Sequence, residues 1–283
     1  MTTPNALRFP NLSDFPFQFD LADDQVHVWY ARLGNDQDPC LRWLSVDERE
    51  RSGRIGALES RRQFIAGRKV LRGVLGGYLG QEPGTLEFIH GSHGKPALSM
   101  NKLVVPIEFN LSHSGMHLVV ALTRGVPVGV DVEAIRPLQR LDLLARRCLS
   151  STERAELEAL PEDLRCIGFF RFWVRKESFG KAVGTGIGLG LDRCVTSLEG
   201  VPRWITVPPE LEPASAWTLA EIPLGEGCCV AATARTAGAE WLYGRITLED
   251  GGIGFEKPKS LRYATPDCVL GNVAVDSAWH PFR

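Results

Sequence analysis

The 283-residue sequence predicts an α+β protein of two similar lobes, each a small sheet packed against helices. Three observations carry this. Residues 44–80 and 149–184 resemble each other: both open on Leu-Ser, continue through charged residues and run into an aromatic-bearing helical stretch. Twenty positions separate Leu44 from Phe64, and twenty separate Leu149 from Phe169. Both openings carry a capping-box pattern, Ser45-x-x-Glu48 and Ser150-x-x-Glu153, in which the serine oxygen accepts from a first-turn N–H while the glutamate reaches back. Short β-branched runs flank each block.

The elements follow in order. Val26-His27-Val28-Trp29 reads as a strand ahead of the first helical block, and Leu118-Val119-Val120-Ala121-Leu122 closes that half. Val128-Gly129-Val130-Asp131-Val132 opens the second half, and Val230-Ala231-Ala232-Thr233 closes it. The expected organisation is an N-terminal extension at 1–24, a first lobe at 25–125, a second at 126–236, and a C-terminal extension at 237–283. That last stretch has a Gly251-Gly252 turn, Lys257-Pro258 and an expected strand over 269–275; no chemistry is assigned to it. Two similar lobes would place a shared site in a cleft.

Composition narrows the class. Hydrophobic residues are 44% and charged residues 23%, enough for a sizeable core. Thirty-two Lys and Arg against 34 Asp and Glu give a net charge of -2, which argues against a nucleic-acid binder that is basic as a whole and leaves room only for a local basic patch. No run approaches the roughly 18 apolar residues of a membrane span, and Arg8 and acids break the N-terminal apolar residues, so neither a membrane partner nor a signal peptide is expected. Seven scattered cysteines without a Cys-x-x-Cys pair suit reduced thiols in the cytoplasm.

Three motifs carry candidate chemistry. In Gly129-Val130-Asp131-Val132-Glu133 the two-residue strand period puts Asp131 and Glu133 on one face, with valines on the other. Paired carboxylates there suit a hard cation such as Mg²⁺, or are simply a solvated strand face. In Trp173-Val174-Arg175-Lys176-Glu177-Ser178-Phe179-Gly180-Lys181, Glu177 and Lys181 are four apart on a helix. They read as an exposed ion pair, or as a third metal carboxylate or base beside a phosphate-binding lysine. Phe109-Asn110-Leu111-Ser112-His113-Ser114-Gly115 reads as a strand-to-turn junction, either a polar turn or a phosphate cradle of hydroxyls, imidazole and turn N–H groups. Upstream, Gly91-Ser92-His93-Gly94-Lys95-Pro96 is a glycine-rich turn presenting one lysine, without P-loop spacing.

Other patterns fail. The alternating glycines from Gly184 to Gly190 follow a helix, whereas a dinucleotide fingerprint follows a strand. His113 and His117 lack the glutamate and helical context of a zinc site, and no nucleophile-elbow motif is present.

Gly-Lys-Pro, Phe-Asn-Leu-Ser-His-Ser, Gly-Val-Asp-Val-Glu and Trp-x-x-Lys-Glu-x-x-x-Lys, in this order, resemble the 4′-phosphopantetheinyl transferases, in the larger pseudo-dimeric class. The resemblance covers residues 45–190 directly. It implies a monomer whose lobes are related by pseudo-twofold symmetry. It implies transfer of 4′-phosphopantetheine from coenzyme A to a serine of an apo acyl or peptidyl carrier protein, leaving adenosine 3′,5′-bisphosphate. By similarity, Asp131, Glu133 and Glu177 would hold Mg²⁺, with Asp131, Glu177 and Lys181 catalytic. Arg51, Lys95, Asn110, Ser112, His113, Asp131 and Lys181 would bind coenzyme A, with His113 near its 3′-phosphate. Arg136, Arg140, Arg146 and Arg147, on an expected helix, are candidates for meeting an acidic carrier; a solvated helix face is the alternative.

Overall fold

The computed structural model describes residues 19–34, 41–90, 96–99, 106–225, 227–249, 252–256 and 258–261. Its strands are β1 (Gln25–Arg32), β2 (Phe88–His90), β3 (Pro96–Leu98), β4 (Ile107–Ser114), β5 (His117–Arg124), β6 (Val128–Ala134), β7 (Val195–Thr196), β8 (Trp204–Thr206), β9 (Thr218–Glu221), β10 (Cys228–Ala234), β11 (Glu240–Glu249), β12 (Gly252–Phe255) and β13 (Lys259–Ser260). The α-helices are α1 (Val46–Arg54), α2 (Leu58–Leu79), α3 (Leu141–Cys148), α4 (Ser151–Ala159) and α5 (Glu162–Val183). The fold is thus α+β. Among the described residues no helix is long and apolar enough to cross a membrane.

The chain divides into two compact units. The first comprises residues up to Pro127 together with Glu240–Ser260. Its sheet runs β12-β11-β1-β5-β4, with β13 also on β11. So β11, from the stretch that the sequence leaves without a role, pairs in parallel with β1. Helix α2 packs Val70, Leu71, Val74 and Leu75 against Trp29, Leu118, Val120, Leu122 and Ile253. The expected strand at 269–275 lies outside the described residues.

The second unit contains Val128–Ala239. Its sheet is β6-β10-β9, all antiparallel. Helix α5 lies on it, and thirteen of its 22 residues are buried. It packs Phe170, Val174 and Phe179 into one cluster with Trp204 and Trp217, and Phe169 and Phe172 into another with Leu149 and Leu157. A helix lined with apolar residues on several sides is central to its unit.

Both units use one local plan. Ser45 and Ser150 accept from the N–H of Glu48 and Glu153, whose carboxylates accept in return from the serine N–H. Each 22-residue helix ends on a left-handed glycine, Gly80 (φ 61) or Gly184 (φ 86). Eight residues before that glycine stands a buried cation, Arg72 or Lys176, bound to the capping glutamate. Aligned this way, Glu177 and Lys181 fall opposite Gly73 and Gly77. A methyl on Gly73 would collide with Ile253, and one on Gly77 would stand 2.6 Å from the Phe19 ring. Phe19 and Ile253, which lie outside residues 44–80, fill that side of α2.

Candidate active site

The carboxylates meet in the second unit because Gly129 lets the helix sit down on the strand. A Cβ at Gly129 would strike the backbone of α5 at Ser178 O and Ala182 N. Glycine in a strand interior marks such close backbone approach. Gly129, Asp131 and Glu133 share the face toward α5, and Val128, Val130 and Val132 pack on the other. A hydroxyl contact, Ser178 Oγ to Thr233 Oγ1 at 2.8 Å, fastens the same turn to β10.

Asp131 is buried, and its Oδ1 accepts from Lys181 Nζ at 2.6 Å. Lys181 therefore turns to the strand rather than forming a simple surface pair along its helix. Glu133 is half-buried, and its Oε2 accepts from Arg136 Nη1 at 3.0 Å. Glu177 is buried, and its Oε1 has no hydrogen-bond partner. Burial pushes the Glu177 carboxyl above the ordinary carboxylate range; Asp131 adds to the shift, Lys181 opposes it and Glu133 adds again.

Among the described residues, no three His, Cys, Asp or Glu side chains are grouped to hold a metal as they stand. Cations of the chain itself engage Asp131 Oδ1 and Glu133 Oε2. The chemistry still fits. Three carboxylates, with Glu177 Oε1 buried and without a hydrogen-bond partner among them, are stabilised by any hard cation that replaces those contacts.

Two further networks fix α5. Arg171 and Arg175 both bind Glu221 of β9, with Arg171 Nη2 at 2.8 Å from Oε2 and Arg175 Nε at 2.9 Å from Oε1. Despite burial, the two guanidinium groups hold Glu221 at about 2. Lys176, fully buried, donates to Glu153 Oε2 rather than to the site. Sequence reasoning missed both. The capping box exposed Glu153, but its partner is 23 positions away; Glu221 carries no motif.

The remaining candidates belong to the first unit. Arg51 is exposed on α1, with its guanidinium 5.3 Å from the Phe64 ring. The expected junction at 109–115 is a strand as far as Ser114, and only Gly115 and Met116 make the turn. Strand alternation therefore sends Asn110 and Ser112, both buried, to one face and exposed His113 to the other, where Phe109 enters the core. Lys95 and the turn before it lie outside the described residues. His117 bonds Tyr30 through Nδ1 at 2.9 Å. Arg136 and Arg140 precede α3 rather than lying on it; Arg140 is its N-cap residue.

The profile of the 4′-phosphopantetheinyl transferase superfamily matches residues 127–231, the span holding these carboxylates. The chain is 38% identical to the 4′-phosphopantetheinyl transferase HetI of Nostoc sp. over 231 residues, covering 80% of this chain and 93% of that protein. It is 30% identical to the 4′-phosphopantetheinyl transferase Sfp of Bacillus subtilis (strain 168), over 54% of this chain and 65% of that one. It is 36% identical to the 4′-phosphopantetheinyl transferase AcpT of Escherichia coli (strain K12), over 44% of this chain and 58% of that one.

Proposed function

This chain belongs to the 4′-phosphopantetheinyl transferase family, and from that premise we propose that it moves 4′-phosphopantetheine from coenzyme A to a serine of an apo acyl or peptidyl carrier protein, releasing adenosine 3′,5′-bisphosphate in the cytoplasm. The observation that carries the reading is Glu177 Oε1, buried and without a partner among the charges of Asp131, Glu133 and Lys181.

A serine hydroxyl is a weak nucleophile until its proton has a place to go. Glu177, with a carboxylate more basic than usual, accepts it. Lys181 offsets the charge of the diphosphate as its P–O bond breaks. Asp131, Glu133 and Glu177 would hold Mg²⁺, which when bound neutralises the diphosphate. In the first unit, Arg51, Asn110, Ser112 and His113, together with Lys95, are assigned to coenzyme A, with His113 at the 3′-phosphate. Exposed Leu143 with Arg140, Arg146 and Arg147 is assigned to an acidic carrier.

The lobes at 25–125 and 126–236 are read as diverged copies in pseudo-twofold relation. The paired capping boxes, terminal glycines and buried cations support that reading.

Mass spectrometry of an apo carrier incubated with enzyme, coenzyme A and Mg²⁺ tests the function. The expected result is one phosphopantetheine on the carrier serine, lost on chelation. Nucleotide turnover without a carrier, or binding without turnover, would overturn it. With 3′-dephospho-coenzyme A as the comparison, His113→Ala should lose much of the wild-type preference for the 3′-phosphate. An unchanged preference removes that assignment.

A further inference from the structure

Lys176 stands next to Glu177 in the chain, yet none of its donors is left for a substrate. Its Nζ lies 2.7 Å from Glu153 Oε2, 2.8 Å from Leu191 O and 2.6 Å from Cys194 O. An ammonium has three N–H donors, and three acceptors use them. Both side chains of the ion pair are fully buried. Glu153 in turn accepts from Ser150 N at 2.8 Å and from Thr196 N at 3.1 Å. One ion pair thus ties together the start of α4, the middle of α5, the single-turn helix Leu191–Arg193 and strand β7.

The first unit isolates what this arrangement does. Arg72 binds Glu48 Oε2 at 2.7 Å and donates to Pro83 O and Leu86 O, both at 2.9 Å. The plan is the same: capping glutamate, buried helix cation, two carbonyls of the following loop. There the helix carries Gly73 and Gly77 opposite Glu177 and Lys181. The cluster is therefore kept where the acid and lysine are absent, so its contribution is architectural.

We propose that Lys176 and Glu153 are positioning residues, a clamp that sets Glu177 and holds the loop of residues 185–194 against the last turns of α5. That loop approaches closely: a Cβ at Gly180 would stand 2.8 Å from Gly186 O. Lys181 follows Gly180 directly. A helix released at Lys176 can rotate, and a loop released at Leu191 and Cys194 can lift, without any change to the reactive side chains. The clamp rests on the transferase reading for its effect on turnover, but not for its effect on backbone protection.

The test uses Lys176→Met with Glu153→Gln, which leaves no buried charge unpaired and keeps an acceptor oxygen for one of Ser150 N and Thr196 N. Lys176→Arg supplies the cation that the first unit uses. Hydrogen exchange of amides in 185–196 should speed up by about tenfold in the double variant, while the strands of the first unit keep their protection. The kcat should fall by about tenfold or more with the KM for coenzyme A held within about threefold, because placement is lost rather than binding. Lys176→Arg should restore both. Wild-type exchange in 185–196 overturns the clamp whether or not the protein proves to be a transferase. Wild-type kcat in the double variant, a rise confined to KM, or failure of Lys176→Arg to rescue overturns the positioning role. If the double variant does not fold, Lys176→Gln with Glu153→Gln, which keeps a donor for the loop carbonyls and again buries no charge, is read the same way. Absence of transfer by the wild type would instead overturn the transferase reading and leave the exchange result standing.

Discussion

Lys181 Nζ bonds Asp131 Oδ1 at 2.6 Å, across the interface of helix and strand, so the lysine of the helix motif is held by the carboxylate of the strand motif. The lysine remains about a quarter exposed. Lys181→Met should slow phosphopantetheine transfer by about 10²-fold, in the range for losing one electrostatic partner of a developing charge. Initial rates by mass spectrometry decide it. A variant that loses only thermal stability would reduce Lys181 to a structural ion pair.

Glu177 stores a penalty that its neutral isostere releases. Its folded carboxyl titrates above the ordinary 4.5, so the folded state loses stability as pH rises from there through the raised value. Glu177→Gln should therefore abolish transfer yet raise the Tm without divalent cations, more at pH 7.5 than at pH 5. Relief of 1 kcal/mol corresponds to about 2–4 °C for a domain of some 150 residues. An equal or lower Tm at pH 7.5 would contradict the assigned burial and repulsion. Mg²⁺ should raise the wild-type Tm and leave that of the variant unchanged.

Gly129 is a seat for the backbone of α5, and nothing there can yield by turning a rotamer. Gly129→Ala should cost at least about 2 kcal/mol and lower activity with it. Gly56→Ala, with open space around it, should stay within about 0.5 kcal/mol. Denaturant melts of the two variants give the comparison.

Acid stability should report on Glu221. Its carboxyl is held at about 2, so its contribution is complete above about 4.5 and disappears as pH falls toward 2. Glu221→Gln should destabilise the protein by about 3–5 kcal/mol at neutral pH, since Arg171 and Arg175 lose their carboxylate. The variant should also show a flatter decline between pH 4.5 and 2. A wild-type acid limb in the variant would assign that titration elsewhere.

How much could be read in advance depended on how local the signal was. The capping boxes at Ser45 and Ser150, the strand of Asp131 and the helix of Glu177 were legible, because periodicity and first-turn hydrogen bonds act within a few residues. The place of β11 was not, because a parallel partner more than 200 positions away leaves no trace in its neighbourhood. The turn expected around Ser112 and His113 proved to be strand, since polar residues on a sheet edge mimic loop composition. Lys176, though part of the helix motif, carries no assigned role in the sequence. Only the folded chain brings Glu153, Leu191 and Cys194 around it.

Gly73 and Gly77 bear on redesign. Placing an acid and a lysine there by Gly73→Glu and Gly77→Lys would drive new side chains into Ile253 and Phe19. A second reactive centre on α2 is therefore not one or two codons away: the room it would need is already filled, and building it would mean emptying that side of the helix first.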